Sequence, residues 1–273
     1  MTVDADFGRA AVRVDPEQLA EALVARLRPG QRLLVALDHD GTISPIAPRP
    51  DEAVLAVGAT DALTGLARYA EVVVVSGRGL DDLVARVGAL PVRIVSEHGL
   101  RSRDRDGDVT ALATPLPGPA LDDVRRRLDA ILTRERLADG WLVEDKGVGI
   151  AVHHRLVGPE RLGATLDAVR DVLRSAPGGH VQEGKAVLEL RADGADKGAA
   201  LTHLIRTSDG GLPVMIGDDR TDEPALAVAE SVGGVGVLVA SEPRPSAASV
   251  RVEDPDEVVR LLAALAQRLT RER

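Results

Sequence analysis

Two aspartates bracket a single histidine in LLVALDHDGTISPIA, residues 33–47, where an aliphatic run that reads as a buried strand comes to its end. Carboxylates held that close repel one another, and each is better solvated in bulk water, so the pair calls for a positive partner. If the strand runs on through them, Asp38 and Asp40 point to one side and His39 to the other, and Gly41 lets the chain turn away. A second acidic group, GDDRTDE, follows the apolar stretch LPVMI and puts Asp218 and Asp219 at another strand end. Carboxylates drawn from distant parts of a chain to one sheet edge form the oxygen-rich donor set that a hard divalent cation such as Mg2+ takes. Asp38, Asp40, Asp218 and Asp219 are therefore the candidate metal ligands.

The elements that must position these groups follow from periodicity. Short β-rich runs, RLLVALD, EVVVVSG and VRIVSEHG, are separated by helical patterns near residues 51–69 and 79–88. After ADGADKG the same rhythm resumes, with a helix near 197–206, the strand LPVMIGDD, a helix from about 222, GGVGVLV and a last helix from about 255. Strands apolar on both faces and separated by helices predict a parallel sheet covered on each side. Ligands of such sheets sit beyond the carboxyl ends of the strands, where Asp38, Ser76 and the pair Glu97 and His98 fall. Between these two stretches the pattern changes to helix (119–137), WLVED, GVGIAVHHR, helix (159–174), GHVQEG and KAVLELRA. Paired strands behind each helix predict a separate antiparallel αββαββ unit. The expected fold is thus α/β: a Rossmann-like parallel-sheet core of residues 1–112 and 194–273, with a smaller α+β cap domain inserted at 113–193.

Composition excludes several functions. A formal net charge of -9 offers no general attraction to a polyanion, and one Trp, one Tyr and one Phe leave little on which bases could stack, so no nucleic-acid partner is expected. No apolar run approaches the roughly 20 residues that span a bilayer, and MTVDADFGRAA is acidic where a signal peptide is basic. No membrane partner and a cytoplasmic location are expected. The absence of cysteine removes disulfides, thiolate metal sites and cysteine nucleophiles together. Oligomeric state is left open.

Four motifs stand in order: DHDGT after a buried strand, SGR after the second, a DKG lysine opening a later helix, and GDDRTDE after a further strand. Together they resemble the haloacid dehalogenase superfamily of phosphotransferases. VEDKGVGIAVHHR, GKAVLELRADGADKGAAL and GDDRTDEPAL narrow the resemblance to the trehalose-6-phosphate phosphatase family, which places a lid of the αββαββ kind over its site. The resemblance implies Mg2+-dependent hydrolysis of trehalose 6-phosphate, a small sugar phosphate, through an aspartyl-phosphate. In that reading Asp38 is the nucleophile, Asp40 the general acid and base, and Lys197 the charge that steadies nucleophile and phosphate. Ser76, Gly77 and Arg78 hold the phosphoryl oxygens, and Asp218 and Asp219 complete the metal shell. Lys146, Arg155, Glu183 and Glu189 read sugar hydroxyls from the lid, with Glu97 and His98 on the core side.

Three positions depart from the family pattern: His39 stands where an aromatic is usual, Ile43 where Leu is, and Leu226 where Phe is. Read as lining positions, they leave room for another sugar phosphate. A catalytically silent, regulatory phosphatase-like module is the remaining alternative, and the intact set Asp38, Asp40, Lys197 and Asp218 speaks against it. His153 and His154 look like a metal pair, but neighbours on a strand face opposite ways and do not grip one ion.

Overall fold

The computed structural model describes residues 10–47, 49–133, 137, 139–184, 186–208 and 210–271. They divide into two units, one from the chain up to Thr110 and from Asp196 onward, the other from Ala111 to Ala195. The larger unit opens with β1 (Val12–Arg13), α1 (Pro16–Ala25), β2 (Leu33–Leu37), α2 (Ala59–Leu66) and β3 (Glu71–Val75). It continues with α3 (Leu80–Val87), β4 (Arg93–Ser96), β5 (Arg101–Arg103) and β6 (Val109–Ala111). The smaller unit follows as α4 (Gly118–Ile131), β7 (Leu142–Asp145), β8 (Ile150–His153), α5 (Pro159–Arg174), β9 (Gly179–Gly184) and β10 (Val187–Ala192). The chain then returns through α6 (Lys197–Thr207), β11 (Leu212–Gly217), α7 (Glu223–Ser231), β12 (Val235–Val239), β13 (Val250–Val252) and α8 (Pro255–Arg271).

Among the described residues the larger unit forms one nine-stranded sheet in the order β1-β13-β12-β11-β2-β3-β4-β5-β6. Pairing is parallel from β1 across to β4 and antiparallel between β4 and β5. β2 lies between β11, with Leu33 opposite Leu212, and β3, with Leu37 opposite Val74. All five of its residues are buried, which is why it reads as an unbroken aliphatic run and not as an alternation. Leu33, Val35 and Leu37 of its one face join a cluster with Leu19 and Leu23 of α1, Leu63 and Leu66 of α2, and Leu261, Leu262 and Leu265 of α8. This core anchors the strand whose end carries Asp38.

In the smaller unit the described strands form an antiparallel sheet in the order β7-β8-β10-β9. Ile150, Val152, Leu188 and Leu190 point to one face and are buried, as are Leu121, Val124 and Leu128 of α4 and Val169, Val172 and Leu173 of α5. The other face is polar, carrying Glu144, His153, Glu189 and Arg191. The helix expected over 119–137 ends at Ile131, and residues 134–136 and 138 lie outside the described residues, as does Lys185 of the KAVLELRA motif. Among the described residues no helix is long and apolar enough to cross a membrane.

α6 starts where it does because the Asp196 side chain accepts hydrogen bonds from the Gly198 and Ala199 N–H groups, 2.8 and 2.9 Å away. That cap fixes Lys197 as the first helical residue. Asp196→Ala is expected to lower the unfolding free energy by about 1 kcal/mol, read as a shift in the urea midpoint at unchanged slope.

Candidate active site

Where β2 ends, the Asp38 N–H is tied to Ile216 O of β11 at 3.0 Å, so the first residue past β2 is set against the end of the neighbouring strand. The Lys197 ammonium lies 2.9 Å from Asp38 Oδ1 and 2.7 Å from Asp222 Oδ1, with only 2% of its surface exposed. Burial opposes its charge, but Asp222 and Asp38 outweigh burial and hold it protonated, above the usual lysine range. Asp222, fully buried, turns its second oxygen to the N–H groups of Asp218 and Asp219 at 3.0 and 3.1 Å. The carboxylate therefore folds the turn after β11 and balances the lysine at once. Arg244 supports the same turn, reaching Asp218 O at 2.9 Å and Glu223 at 2.6 Å.

Asp38, Asp218 and Asp222 each bring a carboxylate oxygen within 4.8 Å of the other two. Burial pushes all three carboxyls above their ordinary range. At Asp218 the crowding by Asp222 and Asp219 adds to burial and brings it to about 7. The close approach depends on Gly41, whose φ of +80° suits glycine and where a Cβ would overlap the Asp218 carboxylate.

Asp40 does not belong to this cluster. The chain leaves the strand at Leu37, so the two-residue alternation expected to align Asp38 with Asp40 stops before it reaches them. A tight turn follows, with the Ile43 and Ser44 N–H groups both bonded to His39 O. The Asp40 carboxylate meets the fork of Arg78, with both bonds 2.7 Å long. Burial alone would raise Asp40, but His39 Nδ1, 3.4 Å away, and the Arg78 fork hold it below the usual carboxylate range. Arg78 also reaches Asp82 at 2.6 Å, so its guanidinium orients carboxylates here, where the sequence suggested phosphate. Asp219 turns aside as well: its Oδ1 accepts from the N–H and hydroxyl of Thr221, both at 2.7 Å. Asp222, which the sequence reading did not single out, lies beside Asp38 and Asp218 instead. The residue stood in the quoted GDDRTDE motif, and four-residue spacing from Asp218 across a turn was the signal that could have found it.

Ser76 is buried at the end of β3, its Oγ accepting from the Arg78 N–H at 3.2 Å, with Gly77 between them. Glu97 reaches the neighbouring tip of β4, but both its oxygens are engaged. Oε1 accepts from Leu80 N–H at 2.7 Å and Arg101 at 2.6 Å, and Oε2 from Ser96 Oγ at 2.5 Å and Arg101 at 3.1 Å. The arrangement opposes a role in binding sugar. The His98 ring fills the space beside Gly77 in which a Cβ would sit.

On the polar face of the smaller sheet, Glu189 is buried between Lys146 and Arg191, each 2.5 Å away. Glu144 and His153 pair at 2.9 Å on the same face. Glu183 does not join them. Its partner across the sheet is Leu188, which turns it to the helix-covered side, where it binds Arg170 of α5 at 2.8 Å. Arg155 is exposed in the turn after β8. His153 and His154 diverge, His154 lying against Trp141 with ring centroids 6.0 Å apart.

The family model for trehalose-phosphatase matches residues 36–256, which takes in every residue of this constellation. The chain belongs to the trehalose-phosphatase family. A trehalose 6-phosphate phosphatase of Zea mays is 34% identical over 275 residues, covering 93% of this chain and 75% of the maize protein. The trehalose-phosphate phosphatase of Mycolicibacterium paratuberculosis is 37% identical over 263 residues, covering 89% of this chain and 64% of that protein. The C-terminal domain of the Candida albicans trehalose-6-phosphate phosphatase has the same fold, with a TM-score of 0.78 at 21% identity over 94% of this chain and 98% of that one. A Candida albicans trehalose synthase regulatory protein domain shares it too, with a TM-score of 0.68 at 15% identity over 93% of this chain and 99% of that domain. Fold alone therefore does not separate catalytic from regulatory relatives, and the side chains must.

In this chain the three departures are packing positions: His39, Ile43 and Leu226 are all fully buried. They line the core, not a sugar. The divalent ion that the family implies fits the residues present, because Asp38, Asp218 and Asp222 bring three carboxylates together beside one ammonium, with Asp219 adding its charge nearby, an excess of negative charge that an oxygen-seeking cation relieves. Gly41→Ala and Gly30→Ala offer a matched test, since both glycines have φ near +80° but Gly30 faces open space. Both changes are expected to lower stability by about 1–2 kcal/mol. Only Gly41→Ala, which displaces Asp218, is expected to collapse phosphatase activity.

Proposed function

We propose that the chain hydrolyses trehalose 6-phosphate to trehalose and inorganic phosphate with the help of Mg2+. The observation that carries the reading is the buried Asp38 set between Lys197 and the Asp218 and Asp222 carboxylates in a member of the trehalose-phosphatase family. Asp38 attacks phosphorus and forms an acyl phosphate, which divides the hydrolysis into two easier displacements. Lys197 keeps its proton and screens the nucleophile from the arriving phosphate dianion. Asp40 gives the leaving sugar oxygen a proton that it first takes from the phosphate monoester or solvent, and so becomes the carboxylate that the Arg78 fork favours; that carboxylate then takes the proton of the attacking water. The Ser76 hydroxyl, whose oxygen the Arg78 N–H holds, donates to a phosphoryl oxygen at the start of the loop that carries Gly77 and Arg78. Asp38 and Asp218 would hold the Mg2+ ion, with Asp222 fixing the turn behind them, and the ion would supply electrostatic stabilisation of the phosphoryl oxygens.

Sugar recognition falls to the polar face of the smaller unit, through Lys146, Glu189 and the Arg191 that pairs with Glu189. The cytoplasm is the compartment we assign to the reaction, since a sugar phosphate is a dianion that stays where it is made unless it is carried across a bilayer. A panel of sugar phosphates assayed with and without chelator tests the whole reading. Trehalose 6-phosphate is expected to be turned over fastest, EDTA to abolish turnover reversibly, and Asp38→Asn to abolish it while the melting curve persists. Phosphate release undiminished in metal-free buffer refutes the metal assignment, and a faster rate on another sugar phosphate refutes the substrate.

Glu189→Gln separates recognition from chemistry. The amide keeps the shape but leaves Lys146 and Arg191 without their shared counter-charge. The expected loss in kcat/KM is about 10- to 1,000-fold for trehalose 6-phosphate, with little change for a small aryl phosphate that has no sugar hydroxyls to hold. Equal losses on both substrates would exclude Glu189 from sugar binding.

A further inference from the structure

Two consecutive residues at the tip of β4 lie in the left-handed region, Glu97 at φ +46° and His98 at φ +56°, and neither is glycine. Such conformations persist only where the surroundings over-determine them. Here the surroundings are the loop after β3. The Glu97 N–H donates to Arg78 O at 2.9 Å, and the His98 N–H to Ser76 O at 3.0 Å. The Glu97 carboxylate then takes the Leu80 N–H at the start of α3 and is itself held from behind by Ser96 and Arg101. Three bonds from two residues thus grip the loop at its beginning, middle and end, while the His98 ring closes against Gly77.

The direction of that grip matters. In a trans peptide the C=O and the next N–H point opposite ways, and the described chain has no cis peptide. Tying the Ser76 and Arg78 carbonyls to the β4 tip therefore turns the N–H groups of Gly77 and Gly79 away from it. The strain in residues 97 and 98 buys the loop a defined peptide orientation.

We propose that Glu97 is a positioning residue for phosphate, holding the Ser76–Leu80 loop in the conformation that receives the phosphoryl group and making no contact with the sugar. The proposal rests on the phosphatase reading above and assigns a part of the same site. It separates two roles with different signatures: a sugar contact affects one substrate, whereas a loop support affects every ligand that carries a phosphoryl group.

The test uses the full chain with Glu97→Gly and Glu97→Gln, assayed on trehalose 6-phosphate and on p-nitrophenyl phosphate, with inorganic phosphate as competitive inhibitor. Glycine removes the carboxylate yet accommodates φ +46° without strain, so the variant is expected to fold. Glu97→Gly is expected to weaken inorganic phosphate inhibition and raise KM for both esters by about tenfold, the scale of a lost charge-assisted hydrogen bond. Glu97→Gln, whose amide oxygen still accepts from the Leu80 N–H, is expected to recover most of this. A loss confined to trehalose 6-phosphate, or a fall in kcat and melting temperature with phosphate inhibition unchanged, overturns the proposal. If the unaltered chain hydrolyses neither ester, the phosphatase reading falls and this assignment with it. If it hydrolyses both while Glu97→Gly binds inorganic phosphate as before, only the present inference falls.

Discussion

One ammonium group stands among four carboxylates where β2 and β11 end, and the rest of the larger unit is arranged so that this is tolerable. A buried lysine without partners would lose its proton; Lys197 keeps its own because Asp38 and Asp222 both lie within 3 Å. The converse holds for the acids, which burial raises and the lysine restrains. Neither side is stable alone. The sheet supplies the strand ends, the Asp196 cap sets the first turn of α6, and Gly41 clears room for Asp218.

Charged residues in this chain divide between reaction and support, and burial does not tell them apart. Asp38 and Asp222 are both buried, yet one faces the place of chemistry and the other has its oxygens committed to a lysine and two backbone N–H groups. Glu223 and Arg244 form a further layer behind Asp218, and Glu97 and Arg101 behind the loop after β3. A catalytic carboxylate needs fixed position to within tenths of an ångström, and a network of hydrogen-bonded supports achieves that where packing of flexible side chains would not.

The architecture was legible because its signals are local. Aliphatic runs ending in polar tips revealed β2, β3, β4 and β11, and the change from single to paired strands revealed the smaller αββαββ unit. Asp38, Lys197 and Asp218 stand in motifs for the same reason, and the structure brings them together. What the sequence concealed was the direction of side chains once a strand has ended. The alternation rule was carried one residue too far at Asp40, whose carboxylate meets Arg78 instead of Asp38's neighbours. Glu183 and Glu189 looked equivalent on paper, but register sends them to opposite faces of one sheet. Asp222 was visible as a letter in GDDRTDE, and its importance depends on a turn that only three-dimensional structure shows.

The pairing of β2 with β11 also sets an order of events during folding. Leu33 to Leu37 find their partners at Leu212 to Ile216, and Val12 finds its own at Val250, so the first strands are completed by segments near the other end of the chain. The smaller unit, by contrast, is one unbroken stretch from Ala111 to Ala195. During synthesis its strands have all their partners before β11 exists, while the aliphatic edge of β2 waits open. Contacts so distant in sequence form slowly, and an open apolar strand edge is where association with other chains begins. Asp38, Lys197, Asp218 and Asp222 thus belong to the part of the molecule that is assembled last, so that their chemistry becomes available only once β2 and β11 have paired.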